Sequence, residues 1–199
     1  MKRIAALVIA FVLAGCAGLG AGQARRYFVL EAAPSQLGAA TVKRDATLLV
    51  APTTASAFYD TQEIIFSRSA GQRAYYQFSS WTEPPNRALA SLLAARLELS
   101  GAYRAVAETT SSVRGSVLLR SHLVEVYHDV TSVPGSAKVT IAAELSDSAG
   151  HMLLARKTFV ASVPVRSHDA AGAVQGFNEA FGTILDEIAA WAGSAAANR

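Results

Sequence analysis

Cys16 carries the side chain in this sequence best suited to covalent chemistry, because a thiol is the strongest protein nucleophile near neutral pH. It is the only cysteine among the 199 residues. A basic head, Lys2 and Arg3, precedes it, followed by an unbroken apolar run over residues 4–12 and then small residues. This order is typical of a secretory signal peptide, and the run is shorter than the about 20 apolar residues that span a bilayer. The sequence therefore predicts a signal peptide over residues 1–15.

Residues 13–16 read Leu-Ala-Gly-Cys, which resembles a bacterial lipobox. In signals of that kind a diacylglycerol is joined to the thiol, and the peptidase then cuts before the modified cysteine. Cys16 is thus the predicted lipidation site, and residues 16–26 are a predicted acylated, flexible tether; a buried or an unpaired secreted thiol is the alternative. Ala17 stands where an aspartate retains lipoproteins in the inner membrane in enterobacterial-type sorting. We therefore expect a lipid anchor in the outer membrane, on its periplasmic face.

Four histidines are the remaining candidates for metal or acid–base chemistry: His122, His128, His151 and His168. They lack the i, i+4 spacing of a helical zinc site. On one strand, His122 and His128 would lie about 20 Å apart, too far to share a metal. The sequence also has no Gly-x-Ser-x-Gly nucleophile elbow and no phosphate-binding P-loop motif. We therefore expect no catalytic residue, no metal site and no cofactor, and we do not expect an enzyme.

The charge balance gives no indication of nucleic-acid binding. The full sequence has 18 Lys and Arg against 15 Asp and Glu, and loss of Lys2 and Arg3 with the signal peptide leaves 16 against 15. The net charge of +3 in the full sequence therefore comes mainly from the signal peptide. Without a second cysteine, no disulfide is expected. The chain from residue 16 onward is long enough for one domain that buries about 70% of its unfolded surface.

The apolar pattern over residues 27–199 predicts a single α+β domain. The stretches EIIFSRS and RAYYQFSS flank Gly71 and are typical of a β-hairpin. In AKVTIAAELS, strict alternation places Val139 and Ile141 on one face, and the turn sequence at residues 147–150 leads into a partner strand. The preceding stretch, GSVLLRSHLVEVYHDV, alternates imperfectly, which indicates a bulge or burial on both faces.

Two long helices are predicted. The first begins at the proline pair at residues 84 and 85 and ends at Gly101. Its leucines follow helical spacing, and Arg96 lies at the edge of its apolar face. The second runs from about residue 169 to residue 191. Its apolar stripe leaves Asp186 and Glu187 facing away from the core.

Residues 58–85 form the stretch richest in distinctive aromatic side chains. Tyr and Trp combine a large apolar area with a polar group, which suits half-buried core positions and protein interfaces alike. Tyr75 and Tyr76 are neighbours on a predicted strand and must point to opposite faces, so we expect one of them to be exposed. Tyr59, Arg73, Tyr75 and Tyr76 are therefore the predicted partner-interface residues. Burial of most of these aromatic side chains in the core is the alternative.

The same stretch carries a resemblance to a known family. Its features are Tyr59-Asp60, the sequence IIFSR at residues 64–68, the paired tyrosines, and WTEPP at residues 81–85. A helix, several strands, a hairpin turn and a long C-terminal helix follow in that order. Together with the lipobox, these features resemble the ABC-type transport auxiliary lipoproteins, the PqiC-like group.

This resemblance implies a non-catalytic outer-membrane lipoprotein of an envelope lipid transport system. Its partner would be an MCE-family membrane protein that spans the periplasm, with a ring of identical subunits as a further expectation and no nucleic acid involved. The implied fold is similar to anticodon-binding-like and TolB N-terminal-like α/β sandwiches, with a mixed β-sheet and flanking helices. Two alternatives remain open: a lipoprotein that assists outer-membrane protein or polysaccharide assembly, and a direct lipid carrier, which needs a sizeable apolar pocket.

Overall fold

The computed structural model describes residues 23–40, 43–149 and 152–195. Cys16, the predicted signal peptide and His151 lie outside the described residues, as does most of the predicted tether. Within these three ranges, no helix has both the length and the apolar character needed to cross a bilayer.

The described ranges contain nine strands, two α-helices and a short 3-10 helix at Ala57–Tyr59. In chain order the strands and α-helices are β1 (Arg26–Phe28), β2 (Arg44–Val50), β3 (Thr54–Ala55), β4 (Glu63–Ser67), β5 (Ala74–Trp81), α1 (Pro85–Ser100), β6 (Tyr103–Glu108), β7 (Val117–Asp129), β8 (Ser136–Asp147), β9 (Leu153–Pro164) and α2 (Ala170–Ala195).

The sheet is organised around β7, its longest strand. One edge of β7 pairs in parallel with β2, β3 and β4 in succession, and the other edge pairs antiparallel with β8. Beyond these strands, β9 pairs with β8, β6 with β2, β5 with β4, and β1 with β5. Parallel and antiparallel pairs occur together, so the predicted mixed sheet is confirmed.

The β7–β8–β9 part of the sheet follows the predicted alternation closely. Val139 and Ile141 of β8 are buried and pair with Ala161 and Phe159 of β9, which are buried too. The imperfect alternation of β7 has a local cause, because its register with β8 shifts between Leu123 and Glu125. A bulge of this kind lets a strand keep apolar side chains directed at the core on both sides of the irregularity.

Both helices pack into one hydrophobic core with the sheet. Helix α1 has a proline in its first turn and ends at Gly101, whose φ of 65° lies in the left-handed region that glycine adopts at little cost. Helix α2 packs along β8 and β9 and also contacts α1. Its apolar stripe is buried as predicted, and Phe177, Phe181 and Ile188 are each at most 1% exposed. The predicted single α+β domain with a mixed sheet and two long helices is confirmed.

The segment that joins β1 to β2, residues 29–40, crosses the two helices, and we call it the strap. Ala33 donates its backbone N–H to the carbonyl of Asn178 on α2 at 2.8 Å, and Ala40 donates to the carbonyl of Ser100 on α1 at the same distance. Gly182 allows this close approach, because a Cβ at that position would lie 2.8 Å from the Cβ of Ala33.

The strap covers Asp186, which the sequence places on the side of α2 that faces away from the core. Its carboxylate accepts hydrogen bonds from the Ser35 hydroxyl and the Gln36 backbone N–H, both at 2.9 Å, and forms an ion pair with Arg96. The side chain of Arg96 is only 7% exposed and that of Asp186 only 14%. Arg96 also donates to the carbonyl of Ala33 at 2.6 Å. The helical pattern places Asp186 outside the apolar stripe correctly, but the strap covers that side of the helix.

Candidate functional site

The described histidines have structural partners. The Thr54 hydroxyl lies 2.8 Å from Nδ1 of His122, and the Ser56 hydroxyl lies 3.2 Å from its Nε2. His128 is fully buried, and the His168 ring packs against its edge with 5.9 Å between ring centroids. Across residues 23–40, 43–149 and 152–195, no three potential ligand side chains come together as a metal site would require.

The β4–β5 hairpin carries the exposed aromatic side chains that the sequence singles out. Gly71 turns the chain with a φ of 75°. Tyr75 on β5 is 45% exposed, and its ring stacks on that of Phe58, which is 43% exposed, with centroids 5.4 Å apart and an angle of 15° between the planes. Tyr59 meets Phe58 edge-on at 5.5 Å. Phe58 and Tyr75 therefore form one exposed, offset aromatic surface, which we call the aromatic pair.

Arg73 fixes the base of the aromatic pair. Its guanidinium lies 3.7 Å from the centre of the Tyr127 ring and donates to the Tyr59 hydroxyl at 3.1 Å. It also forms an ion pair with Glu125 at 3.3 Å. Burial raises the pKa of the Tyr59 hydroxyl, and the hydrogen bond from Arg73 partly offsets that effect. Arg73 thus ties the 3-10 helix and the hairpin to β7, and its charge is largely committed within the protein.

Tyr76 points to the opposite side of β5 from Tyr75 and is half-buried. Its hydroxyl lies 2.7 Å from Nδ1 of His128, whose Nε2 lies 2.9 Å from the carbonyl oxygen of Pro134. A carbonyl can only accept, so Nε2 carries the proton and Nδ1 accepts from Tyr76. Burial lowers the pKa of His128 and raises that of Tyr76 to about 12. The two rings therefore form a neutral hydrogen-bonded pair that holds the hairpin from beneath.

The four predicted interface residues thus occupy different environments. Tyr59 and Arg73 contact each other, Tyr75 lies at the surface, and Tyr76 faces the interior. Phe58 is part of the same surface although it is absent from the predicted set. Tyr127 and Glu125 are also outside that set, since they meet Arg73 only because β7 lies beside β4, across more than 50 residues of sequence. The signal available for Phe58 is its position beside Tyr59 in the aromatic stretch.

A second surface feature is a partly open groove of about 390 Å³ at the C-terminal ends of the two α-helices. The last residues of the strap, from Leu37 to Ala40, form one wall. Small residues near the helix ends, including Ala102, Ala189 and Gly193, form the other. Thr41 and Val42, which follow the strap in sequence, lie outside the described residues.

The model of the family described as "ABC-type transport auxiliary lipoprotein component" matches residues 28–189. The chain belongs to this family. That match covers the described elements from the end of β1 to the greater part of α2, including the aromatic pair, the Arg73 contacts and the strap. Membership in the auxiliary lipoprotein family indicates that the chain is a component of a transport system. The family is not a catalytic one. No curated protein matches the sequence significantly.

Solved structures share the fold of this auxiliary lipoprotein. Protein XCC0632 from Xanthomonas campestris, a DUF330 family protein, aligns over 85% of this chain and 95% of its own, with a TM-score of 0.78 and 22% identity. An uncharacterized protein aligns over 84% and 97%, with a TM-score of 0.65 and 13% identity. The hypothetical protein CT253 from Chlamydia trachomatis aligns over 78% and 100%, with a TM-score of 0.51 and 9% identity. These TM-scores show a common fold for the chain and its neighbours.

Proposed function

We propose that this chain is a non-catalytic outer-membrane lipoprotein, acylated on Cys16, that docks an MCE-family protein of an ABC-type lipid transport system. The family match and the lipobox at residues 13–16 support the transport role and the anchor. In this proposal residues 1–15 are the signal peptide, residues 16–26 the acylated tether and residues 27–199 the docking domain. Such an anchor is stable, because two lipid signals already give lasting membrane attachment.

The observation that carries the docking role is the aromatic pair on its fixed base. Phe58 and Tyr75 expose stacked rings, while Arg73 is bound to Tyr59 and Glu125 beneath them. Exposed aromatic side chains are common among the residues that dominate protein-binding energies. Because the base is fixed before binding, little conformational entropy is lost when a partner covers the rings. A partner therefore meets a preformed apolar surface.

Replacing Cys16 with alanine is expected to abolish acylation, because the thiol is the atom that receives the lipid. Labelling cells with a radioactive fatty acid should mark the native protein and leave the Cys16→Ala variant unmarked. Density-gradient fractionation should place the native protein with outer-membrane markers. Labelling of the variant, or co-fractionation of the native protein with inner-membrane markers, would contradict the proposed anchor or its location.

Replacing Tyr75 with alanine is expected to weaken capture of the transport partner by about 1–3 kcal/mol while leaving the melting temperature nearly unchanged. The reason is that this side chain is largely outside the core. Pulldown from detergent-solubilised envelopes, with mass spectrometry, measures the captured MCE-family protein. Leu99→Ala is the matched control, since Leu99 is a large apolar side chain, 72% exposed, at the end of α1.

Two further measurements separate the proposed roles of the hairpin residues. The Tyr76→Ala variant should lower the melting temperature, because it removes the hydroxyl group that donates a hydrogen bond to His128.

Sedimentation of the native and Tyr75→Ala proteins tests whether a second copy in a ring, instead of the MCE-family protein, covers the aromatic pair. Equal partner capture by the native, Tyr75→Ala and Leu99→Ala proteins would show that the docking surface lies elsewhere.

A direct lipid carrier is the second candidate, and the groove beside the strap is the observation that favours it. Its volume of about 390 Å³ lies within the range of about 300–1,000 Å³ that is usual for ligand pockets. Organic extraction of the purified protein followed by mass spectrometry tests this role. Stoichiometric lipid beyond the acyl chains on Cys16 would favour a carrier, and its absence would favour docking.

A further inference from the structure

Two exposed apolar side chains lie where the chain enters the sheet. Tyr27 and Val29 are 62% and 55% exposed. We call these two residues the edge patch. In the described part of the chain, β1 pairs only with β5, so it forms one edge of the sheet.

The register of β1 and β5 places the edge patch on one face of the sheet. Arg26 pairs with Ser79 and Tyr27 with Ser80. Paired residues share a face and side chains alternate along a strand, so Tyr27, Ser80 and Val29 lie on the same face. Contacts at Glu63 agree with this register, since its carboxylate accepts from Ser80 at 3.3 Å.

That face is directed away from the helices. The next side chain along β1, Phe28, points to the other face and packs against the hydrophobic core. Trp81, its partner on β5, is 2% exposed and lies 5.9 Å from the ring of Phe177 on α2. The helix layer therefore leaves the edge patch uncovered.

The composition of the edge patch suits the interface between a bilayer and water. Tyrosine places an apolar ring among lipid tails near the headgroups and keeps its hydroxyl in the polar layer. Val29 adds apolar area. Arg25 binds Glu63 through two contacts of 3.0 and 2.8 Å on the same face, which balances the charge of that carboxylate.

The chain between the anchor and the patch is short. Eight residues separate Cys16 from Arg25. Fully extended, that segment reaches about 30 Å, which is less than the thickness of a bilayer with its headgroups. An acylated Cys16 therefore keeps β1 beside the membrane surface, and β1 is the first described element that this surface meets.

We propose that the edge patch lies on the phospholipid surface that holds the acyl chains of Cys16. This inference rests on the proposed acylation and adds an orientation, in which the β1–β5 edge of the sheet faces the membrane.

Site-specific quenching tests this orientation in the acylated, full-length mature protein. The Tyr27→Trp variant is reconstituted into vesicles of phosphatidylethanolamine, phosphatidylglycerol and phosphatidylcholine brominated near the top of its acyl chains. Leu99→Trp and Val160→Trp are matched controls, because these side chains are 72% and 65% exposed on α1 and on β9. The signal of the unsubstituted protein, which contains Trp81 and Trp191, is subtracted.

Bromine should quench the Tyr27→Trp variant several-fold more strongly than either control. Equal quenching of the three variants, or stronger quenching of a control, would overturn the proposed orientation. Mass spectrometry of the same samples measures acylation, so a missing anchor is distinguished from a wrong orientation. Circular dichroism identifies any variant that fails to fold. In that case Val29→Trp, on the same face of β1, replaces Tyr27→Trp and must show the same excess quenching.

Discussion

Replacing Asp186 with alanine is expected to lower the free energy of unfolding by about 3–5 kcal/mol, because it leaves the buried guanidinium of Arg96 without its counter-ion. The carboxylate also accepts from Ser35 and Gln36, so the same change releases the middle of the strap. Urea-induced unfolding, followed by far-ultraviolet circular dichroism, measures the loss. The expected size is a large share of the stability of an ordinary domain.

Glu187→Ala provides the control for this measurement. Glu187 is the next acidic residue on α2 but is exposed, so its loss should change stability by less than about 0.5 kcal/mol. A combined Arg96→Met and Asp186→Leu variant should recover the part of the loss that comes from the unpaired guanidinium, since apolar groups of similar size can replace a buried ion pair. The hydrogen bonds from Ser35 and Gln36 stay lost in this variant. Equal effects of Asp186→Ala and Glu187→Ala would mean that the ion pair does not hold the strap.

The Phe181→Ala substitution is expected to cost about 3–5 kcal/mol, because it removes a buried aromatic ring and leaves a cavity in the core. Phe181 is 0% exposed in the middle of α2. The same denaturant titration measures the effect, with the slope of the transition confirming that the unfolded state is unchanged. Since Phe181 does not lie on the hairpin, the folded fraction should retain its capture of the transport partner.

Leu99→Ala is again the matched control. It removes a large apolar side chain that is 72% exposed, so we expect little change in stability. A loss below about 1 kcal/mol for Phe181→Ala would place this part of the α2 stripe outside the core. That result would also indicate that the sheet and α2 are less tightly packed than the structure describes.

The elements that follow from local chemistry are the ones the sequence predicts well. Strict alternation identifies β8, and Gly71 and Gly101 mark a turn and a helix end because their backbones need a positive φ. The strap has no periodic pattern, because its residues are fixed by contacts with α1 and α2 that lie far away in the sequence. The side of α2 that holds Asp186 therefore looks solvent-facing until the strap is placed on it.

The candidate site shows the same division between local and distant contacts. Alternation along β5 correctly separates Tyr75 from Tyr76, and the structure identifies Tyr75 as the exposed one. The position of Tyr127 beneath Arg73 depends on the pairing of β4 with β7, which no nearby residue specifies. Three points remain predictions: the lipidation of Cys16, the interface role of the aromatic residues, and the similarity to anticodon-binding-like and TolB N-terminal-like folds.

The strap would also affect how the proposed acylated protein carries mechanical load. Tension on the proposed lipid anchor would enter the described chain at β1, which pairs with the sheet through three residues and is also held by the Arg25–Glu63 ion pair. Once β1 detaches, the force passes to the strap and to the Arg96–Asp186 ion pair, and it reaches β2 only after these contacts separate. The β4–β5 hairpin lies outside the part of the chain that yields first. A pull on a docked partner would therefore lengthen the link to the membrane before it disturbs the surface that holds the partner.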